Sequence, residues 1–450
     1  MRLRSRTVML ASWLGVAAVL AACGGAAGQQ TAPYQLTLQD AIEKGLKANL
    51  GVLLAGTRVE EAEGTRLRSL SAALLPRVNA ETYASVQNRN LRAFGISLPG
   101  MPEVVGPFSN YDVRLYGQQN VVDLGSYRQF KASEMALEAG KMDYQDARDL
   151  VVRAVAALYL NAESAEARAR AAESRVTDAT TLLKLAQDKH TAGTATGVDV
   201  LRAQVQLAND KQALLVARND NKQALLALAR NLGMDPGTRL ELVGKLEYKP
   251  LAEATAEALM PSALATRADY LSLAKQRQAL EEQVRANKAR WYPKVSINGN
   301  YGGIGRSVGG MQGTGAIQGQ VDFTLFDRDR NGEAEQMAAR LKRIDDQIAD
   351  MRRGVEEEIR EALLNLESAA EQVAVARDGQ ELAQRELEMA QDRFQQGTAN
   401  NVEVVTAQDE LARAEENSIV AVSSHVNAKY ALARALGETE KNILAYEGNR

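Results

Sequence analysis

The chain has 450 residues, 45% of them hydrophobic but only 5% aromatic, with 9 prolines and 1 cysteine, which excludes a disulfide framework and every multi-thiolate metal site. Only 2 histidines leave little material for imidazole chemistry, so neither an enzyme nor a cofactor is expected. A net charge of −3 gives no basic footprint for nucleic acid, and a mean hydropathy of −0.29 excludes a bundle of membrane-spanning helices.

In chain order, Arg2, Arg4 and Arg6 precede an apolar run over 8–22 that is too short for a comfortable bilayer span, so residues 1–22 read as an export signal peptide. The run ends in Leu20-Ala21-Ala22-Cys23, which resembles the lipobox of bacterial lipoproteins. Cys23 is therefore expected to be lipidated, with 23–34 as a flexible tether. The plainer alternative is an incidental cysteine beside an ordinary cleavage site. Over 76–90, Val78, Ala80, Thr82, Ala84 and Val86 alternate with mostly polar residues, and a partner strand is predicted at about 109–122. A long helix follows over 126–191, without proline or a turn cluster. Its seam, Val155, Leu158, Ala162, Ala165, Ala169, Ala172 and on to His190, steps by alternating three and four. A turn near 193–199 leads into a returning helix over 198–232, closed by Gly233.

The second half repeats the first. His190 to Val200, with Gly193-Thr194, aligns with Phe394 to Val404, with Gly397-Thr398, at a constant offset of 204 (193 to 397). Two structural repeats result, 35–242 and 255–437, joined by a linker over 243–254 and followed by a tail over 438–450. In the second copy the strands are predicted at about 293–304 and 314–326, the long helix at 330–396, the tip near 397–403 and the return helix at 402–436. The stretch from Gly299 to Gly319 holds nine glycines without a phosphate-cradling spacing and reads as an exposed loop between the third and fourth strands. The fold class is mainly α with a membrane β-barrel. Four amphipathic strands cannot close a barrel alone, so closure is expected to need several chains.

The ordered set Leu36-Thr37-Leu38-Gln39-Asp40-Ala41-Ile42, Leu75-Leu-Pro-Arg-Val, Val121-Val-Asp-Leu-Gly, Trp291-Tyr-Pro-Lys-Val, Leu325-Phe-Asp-Arg-Asp and both Gly-Thr turns resembles the TolC family of outer-membrane efflux proteins over nearly the whole mature chain. The resemblance implies a homotrimer with a twelve-stranded barrel in outer-membrane lipid and an α-helical tunnel in the periplasm. It implies a passive exit duct of a tripartite efflux or type I secretion system, with a periplasmic adaptor and an inner-membrane pump of the RND or ABC class as partners. Carried over residue by residue, Gly193, Thr194, Val198, Gly397, Thr398 and Val402 become adaptor-contacting tips. Asp199, Glu403 and Thr406 fall at the periplasmic gate, Thr406 standing where the family prototype has a second acid and Ala399 where it has an arginine. For Asp199 and Glu403 the competing reading is that of first-turn acids stabilised by the helix dipole. His190 and His425 read as packed or unpartnered side chains, and Glu356-Glu357-Glu358 as a solvated face. A periplasmic coiled-coil structural or adaptor protein is the alternative function; it accounts for the helices and leaves the strand pairs without a role.

Overall fold

The computed structural model describes residues 34–96, 99–252 and 254–447. Cys23, the expected signal peptide and all but the last residue of the expected tether lie outside the described residues. The first half runs β1 (Tyr34–Leu36), α1 (Leu38–Ala48), α2 (Leu50–Leu74), β2 (Arg77–Asn90), β3 (Val104–Val122), α3 (Leu124–Thr191), α4 (Gly197–Asn231) and β4 (Leu240–Leu242). The second runs α5 (Ala256–Thr266), α6 (Ala268–Ala289), β5 (Lys294–Gly305), β6 (Gln312–Asp322), α7 (Asp329–Gln395), α8 (Asn401–Ala435) and α9 (Thr439–Glu447).

With nothing to break them, α3 and α7 continue for 68 and 67 residues, each about 100 Å at the helical rise. Their seams are buried where predicted at Ala162, Ala165, Ala169 and Ala172 on α3, and at Ile359, Ala362, Ala369 and Val373 on α7. Alanine at the α3 positions lets α4 and α8 lie close against this stretch of α3. Two seam positions differ from expectation near the tip. Leu182 is buried in place of Leu183 because it meets Leu387 and Ala390 of α7, and His190 is exposed instead of packed.

The largest core lies midway along the helices, where Leu36, Ile42, Val152, Tyr159, Leu228, Tyr430 and Ile443 pack together. It is closed by a short parallel sheet that sequence reasoning did not anticipate, with Tyr34 opposite Leu240 and Leu36 opposite Leu242. The predicted tail contributes α9, whose Ile443 is fully buried. Beside this core, Arg267 is buried between Asp269 and Glu358, while Arg434 reaches Asp146 at 2.6 Å and Asp269 at 3.6 Å. Burial alone would push the Asp269 carboxyl up, but the Arg267 hydrogen bond and charge hold it below the usual carboxylate range. The network ties the start of α6 to α3, α7 and α8.

At one end of the helices stands an antiparallel sheet of order β2-β3-β5-β6. β3 begins at Val104, five residues before the predicted boundary, because the β2–β3 hairpin continues to Asn90 opposite Val104. β6 stops at Asp322, so Phe323 and Leu325, expected within the strand, lie beyond it. The glycine-rich stretch is not a loop. Gly299 to Gly305 belongs to β5 and Gly313 to Gly319 to β6, leaving only the turn between them. Glycine is required at Gly302, where a Cβ would collide with the Val113 carbonyl and lie 2.7 Å from Arg114 Cγ.

Candidate gate and channel wall

Each Gly-Thr turn is a helix stop of defined geometry. Gly193 and Gly397 adopt φ of 75° and 76°, a left-handed conformation that side chains disfavour. The following threonine closes the helix twice over. Thr194 donates from N (2.9 Å) and Oγ1 (3.1 Å) to the Lys189 carbonyl, and Thr398 from N (3.0 Å) and Oγ1 (3.1 Å) to the Arg393 carbonyl. Val198 and Val402, each the second residue of the next helix, are exposed and carry no core role. The six predicted tip residues thus fall on two matched ends, of α3–α4 and α7–α8.

The two acids are not equivalent in their surroundings. Asp199 is 9% exposed and forms a capping box: its Oδ2 accepts from Thr196 N at 3.0 Å and Thr196 Oγ1 at 2.6 Å, while Thr196 Oγ1 accepts from Asp199 N. The Thr196 hydroxyl holds its carboxyl below the usual range, against the opposing effect of burial. Glu403 instead lies 3.0 Å from Arg393 Nη1, and Asn400 Oδ1 caps the helix by accepting from Val402 and Glu403. Thr406, one turn on, is exposed. His190 is also exposed, with Nδ1 3.1 Å from the Ala195 carbonyl oxygen.

Two residues that sequence reasoning passed over bind the tips together. Asn401, fully buried, donates from Nδ2 to the Asp199 carbonyl at 2.9 Å. Lys189 donates to the Gln395 carbonyl at 2.9 Å and lies 5.2 Å from the Phe394 ring centroid. The signal for Asn401 was available, since the repeat has Gly197 in its place and a buried amide without a partner is costly. Among the described residues, no group of three or more His, Cys, Asp or Glu could hold a metal ion.

Residues 42–234 and 259–438 match the family model described as outer membrane efflux protein. The chain belongs to that family. It is 23% identical over 400 residues to the pyoverdine export outer membrane protein OpmQ of Pseudomonas aeruginosa, covering 86% of this chain and 82% of the relative. It is 23% identical over 417 residues to the toluene efflux pump outer membrane protein TtgC of Pseudomonas putida, covering 89% and 82%. Among solved structures, the CmeC outer membrane channel of Campylobacter jejuni superposes with a TM-score of 0.73 at 18% identity over 92% of this chain and 89% of that one. The open state of the MtrE outer membrane channel of Neisseria gonorrhoeae gives 0.71 at 18% identity over 90% of each. These likenesses establish the fold.

In this efflux protein the sheet has one apolar and one polar face, as the register shows. Across the four strands, Val78, Gly117, Gly299 and Ile317 share one face, and so do Ala80, Leu115, Tyr301 and Gly315. Ile317 is 88% exposed and Tyr301 73%, so this apolar face is uncovered in the single chain. The opposite face carries Arg77, Gln118, Asn298 and Gln318 in one row and Asn79, Tyr116, Asn300 and Ala316 in the next. Arg114 lies on this polar face over Gly302, paired with Asp112 through Nε at 2.7 Å. No helix among the described residues is long and apolar enough to cross a membrane. An antiparallel sheet with one apolar and one polar face is suited to lipid on one side.

Proposed function

We propose that this outer membrane efflux protein is the passive exit duct of a tripartite efflux or type I secretion system. In this reading three copies close a twelve-stranded barrel, α3, α4, α7 and α8 build the wall of a periplasmic tunnel, and the paired tips meet a periplasmic adaptor that links the duct to an inner-membrane pump of the RND or ABC class. The observation that carries the proposal is the sheet. Its outer strands β2 and β6 each have one unpaired edge, its two faces differ in polarity, and it continues directly into helices of 68 and 67 residues. An open edge and an exposed apolar face are stable only when neighbouring copies and lipid cover them. A periplasmic coiled-coil protein would have no use for either.

The gate in this proposal lies at Asp199, Glu403 and Thr406, with Gly193, Thr194, Val198, Gly397, Thr398 and Val402 as the adaptor-facing tips. The left-handed glycine turns support that role by ending both hairpins bluntly at one level. Six carboxylates from three chains near one axis would concentrate cations. Cys23, outside the described residues, would add a lipid anchor beside the barrel. The purified protein is expected to form cation-selective channels in planar bilayers as a trimer. A monomeric mass in mild detergent, with no channel activity, would overturn the proposal.

A further inference from the structure

Where the sheet meets the helices, the ends of α6 and β6 bring together two segments whose exposed side chains are aromatic, aliphatic and cationic. Trp291 and Tyr292 follow α6, and both are exposed. Phe323 and Leu325 follow β6 and are exposed, Leu325 at 81%. The segments are fixed to each other. Arg330, nearly fully buried, places its guanidinium carbon 4.6 Å from the Trp291 ring centroid, and Asn287 Nδ2 donates to the Arg330 carbonyl at 3.2 Å. Asp327 is shared by Arg330 at 3.1 Å and Arg290 at 3.4 Å.

Those two arginines are neutralised by carboxylates, Arg290 also reaching Glu333 at 2.5 Å. Lys288 and Arg328 are different: both are exposed, and neither makes an ion pair among the described residues. An indole and a phenol beside aliphatic side chains suit the boundary between acyl chains and water, and unpaired cations at that level suit anionic headgroups. We infer that this junction is a binding surface for an anionic phospholipid of the membrane leaflet nearest the helices, with Lys288 and Arg328 taking the headgroup and Trp291, Tyr292, Phe323 and Leu325 taking the upper acyl chains. The inference rests on the outer-membrane channel reading, because it needs the sheet to stand in a bilayer.

Trp291 is also the reporter. The chain has 2 tryptophans, and the other, Trp13, lies in the signal peptide; Trp13→Phe removes it if the leader persists. The protein is reconstituted in vesicles of fixed phosphatidylcholine and phosphatidylglycerol composition in which one lipid or the other is brominated. Brominated phosphatidylglycerol should quench Trp291 about threefold more than brominated phosphatidylcholine at equal mole fraction. The ratio should fall to one in a Lys288→Gln/Arg328→Gln variant that still floats with the vesicles. Equal quenching in the unmodified protein overturns the headgroup preference, and absence of quenching by either lipid means that a second copy of the chain covers the surface. Protein that fails to float with vesicles overturns the channel reading itself, and this inference with it.

Discussion

At the residue scale, the two gate acids differ in what holds their charge. Asp199 is engaged in the capping box of α4 with Arg202 3.8 Å away, while Glu403 lies 3.0 Å from Arg393 with no such box, so single substitutions should separate the two roles. Arg393→Ala is expected to raise cation preference in planar bilayers by releasing Glu403, and Glu403→Ala to lower it; reversal potentials across a salt gradient check both signs. Asp199→Ala should also cost about 0.3 to 1 kcal/mol of stability through the lost N3 half of the capping box, part of which Asp199→Asn should restore through its amide oxygen. A second residue-scale prediction concerns His425, which is buried against the Tyr248 ring at 4.6 Å. Burial first, and the Lys429 charge second, lower its pKa to about 4 from an ordinary 6.5. The native state holds it neutral while the unfolded chain gains a proton, so its contribution is complete above pH 6.5 and is lost as pH falls towards 4. The loss is up to about 3 kcal/mol. Asp149, pushed up by burial to about 6, acts oppositely over the same window, its contribution being lost as pH rises. The difference in thermal stability between the unmodified protein and His425→Gln, followed from pH 7 to 4, isolates the histidine and should shrink towards acid pH.

At the element scale, the long helices and most strand boundaries were legible because each depends on a local pattern. Seam alanines at heptad spacing, a glycine able to adopt positive φ and a threonine to satisfy the last carbonyls together specify where a helix runs and stops. The strands of the β5–β6 hairpin were expected close to where they stand, but the reading of Gly299 to Gly319 as a loop failed for a physical reason: glycine normally weakens a strand, and here it is tolerated because Arg114 occupies the space above Gly302. That contact connects residues far apart in sequence and cannot be seen locally. Gly302→Val should therefore disturb the β3–β5 pairing and reduce the fraction of protein that migrates as a folded, heat-modifiable form. Gly437 makes the same point for the helices. Its φ is 71°, and a Cβ there would lie 2.7 Å from the Arg267 backbone. Gly437→Ala is expected to lower the melting temperature by strain and by shifting Arg267 within its charge network, at a cost of about 1 to 3 kcal/mol.

At the scale of the whole molecule, the single chain is visibly incomplete. Leu201, Val205 and Leu215 on α4, and Leu364, Val375 and Leu382 on α7, stay exposed along helices that are otherwise well packed. These side chains and the free edges of β2 and β6 are the surfaces that neighbouring copies would cover. Mass measurement of the detergent-extracted protein is expected to give three copies. Metabolic labelling with fatty acid should report on Cys23, with label absent from Cys23→Ala and retained channel formation by that variant.

By itself the sequence determined the duplicated plan, the long helices, the matched turns and the alternating strands, because helical seams, caps and pleats follow from the side chains of neighbouring residues. Only the tertiary structure decided what those elements do to one another. It gave Asp199 and Glu403 different polar neighbours, although they hold the same place in the repeat, and it put Asn401 between the tips. It also set the core beside a charged network of Arg267 and Arg434, and turned a glycine-rich stretch into strand. The placements of Asn401, Arg267, Arg434 and Gly302 depend on partners tens to hundreds of residues away in sequence, and local periodicity carries no information about which distant group will satisfy a buried charge, an amide or a missing side chain.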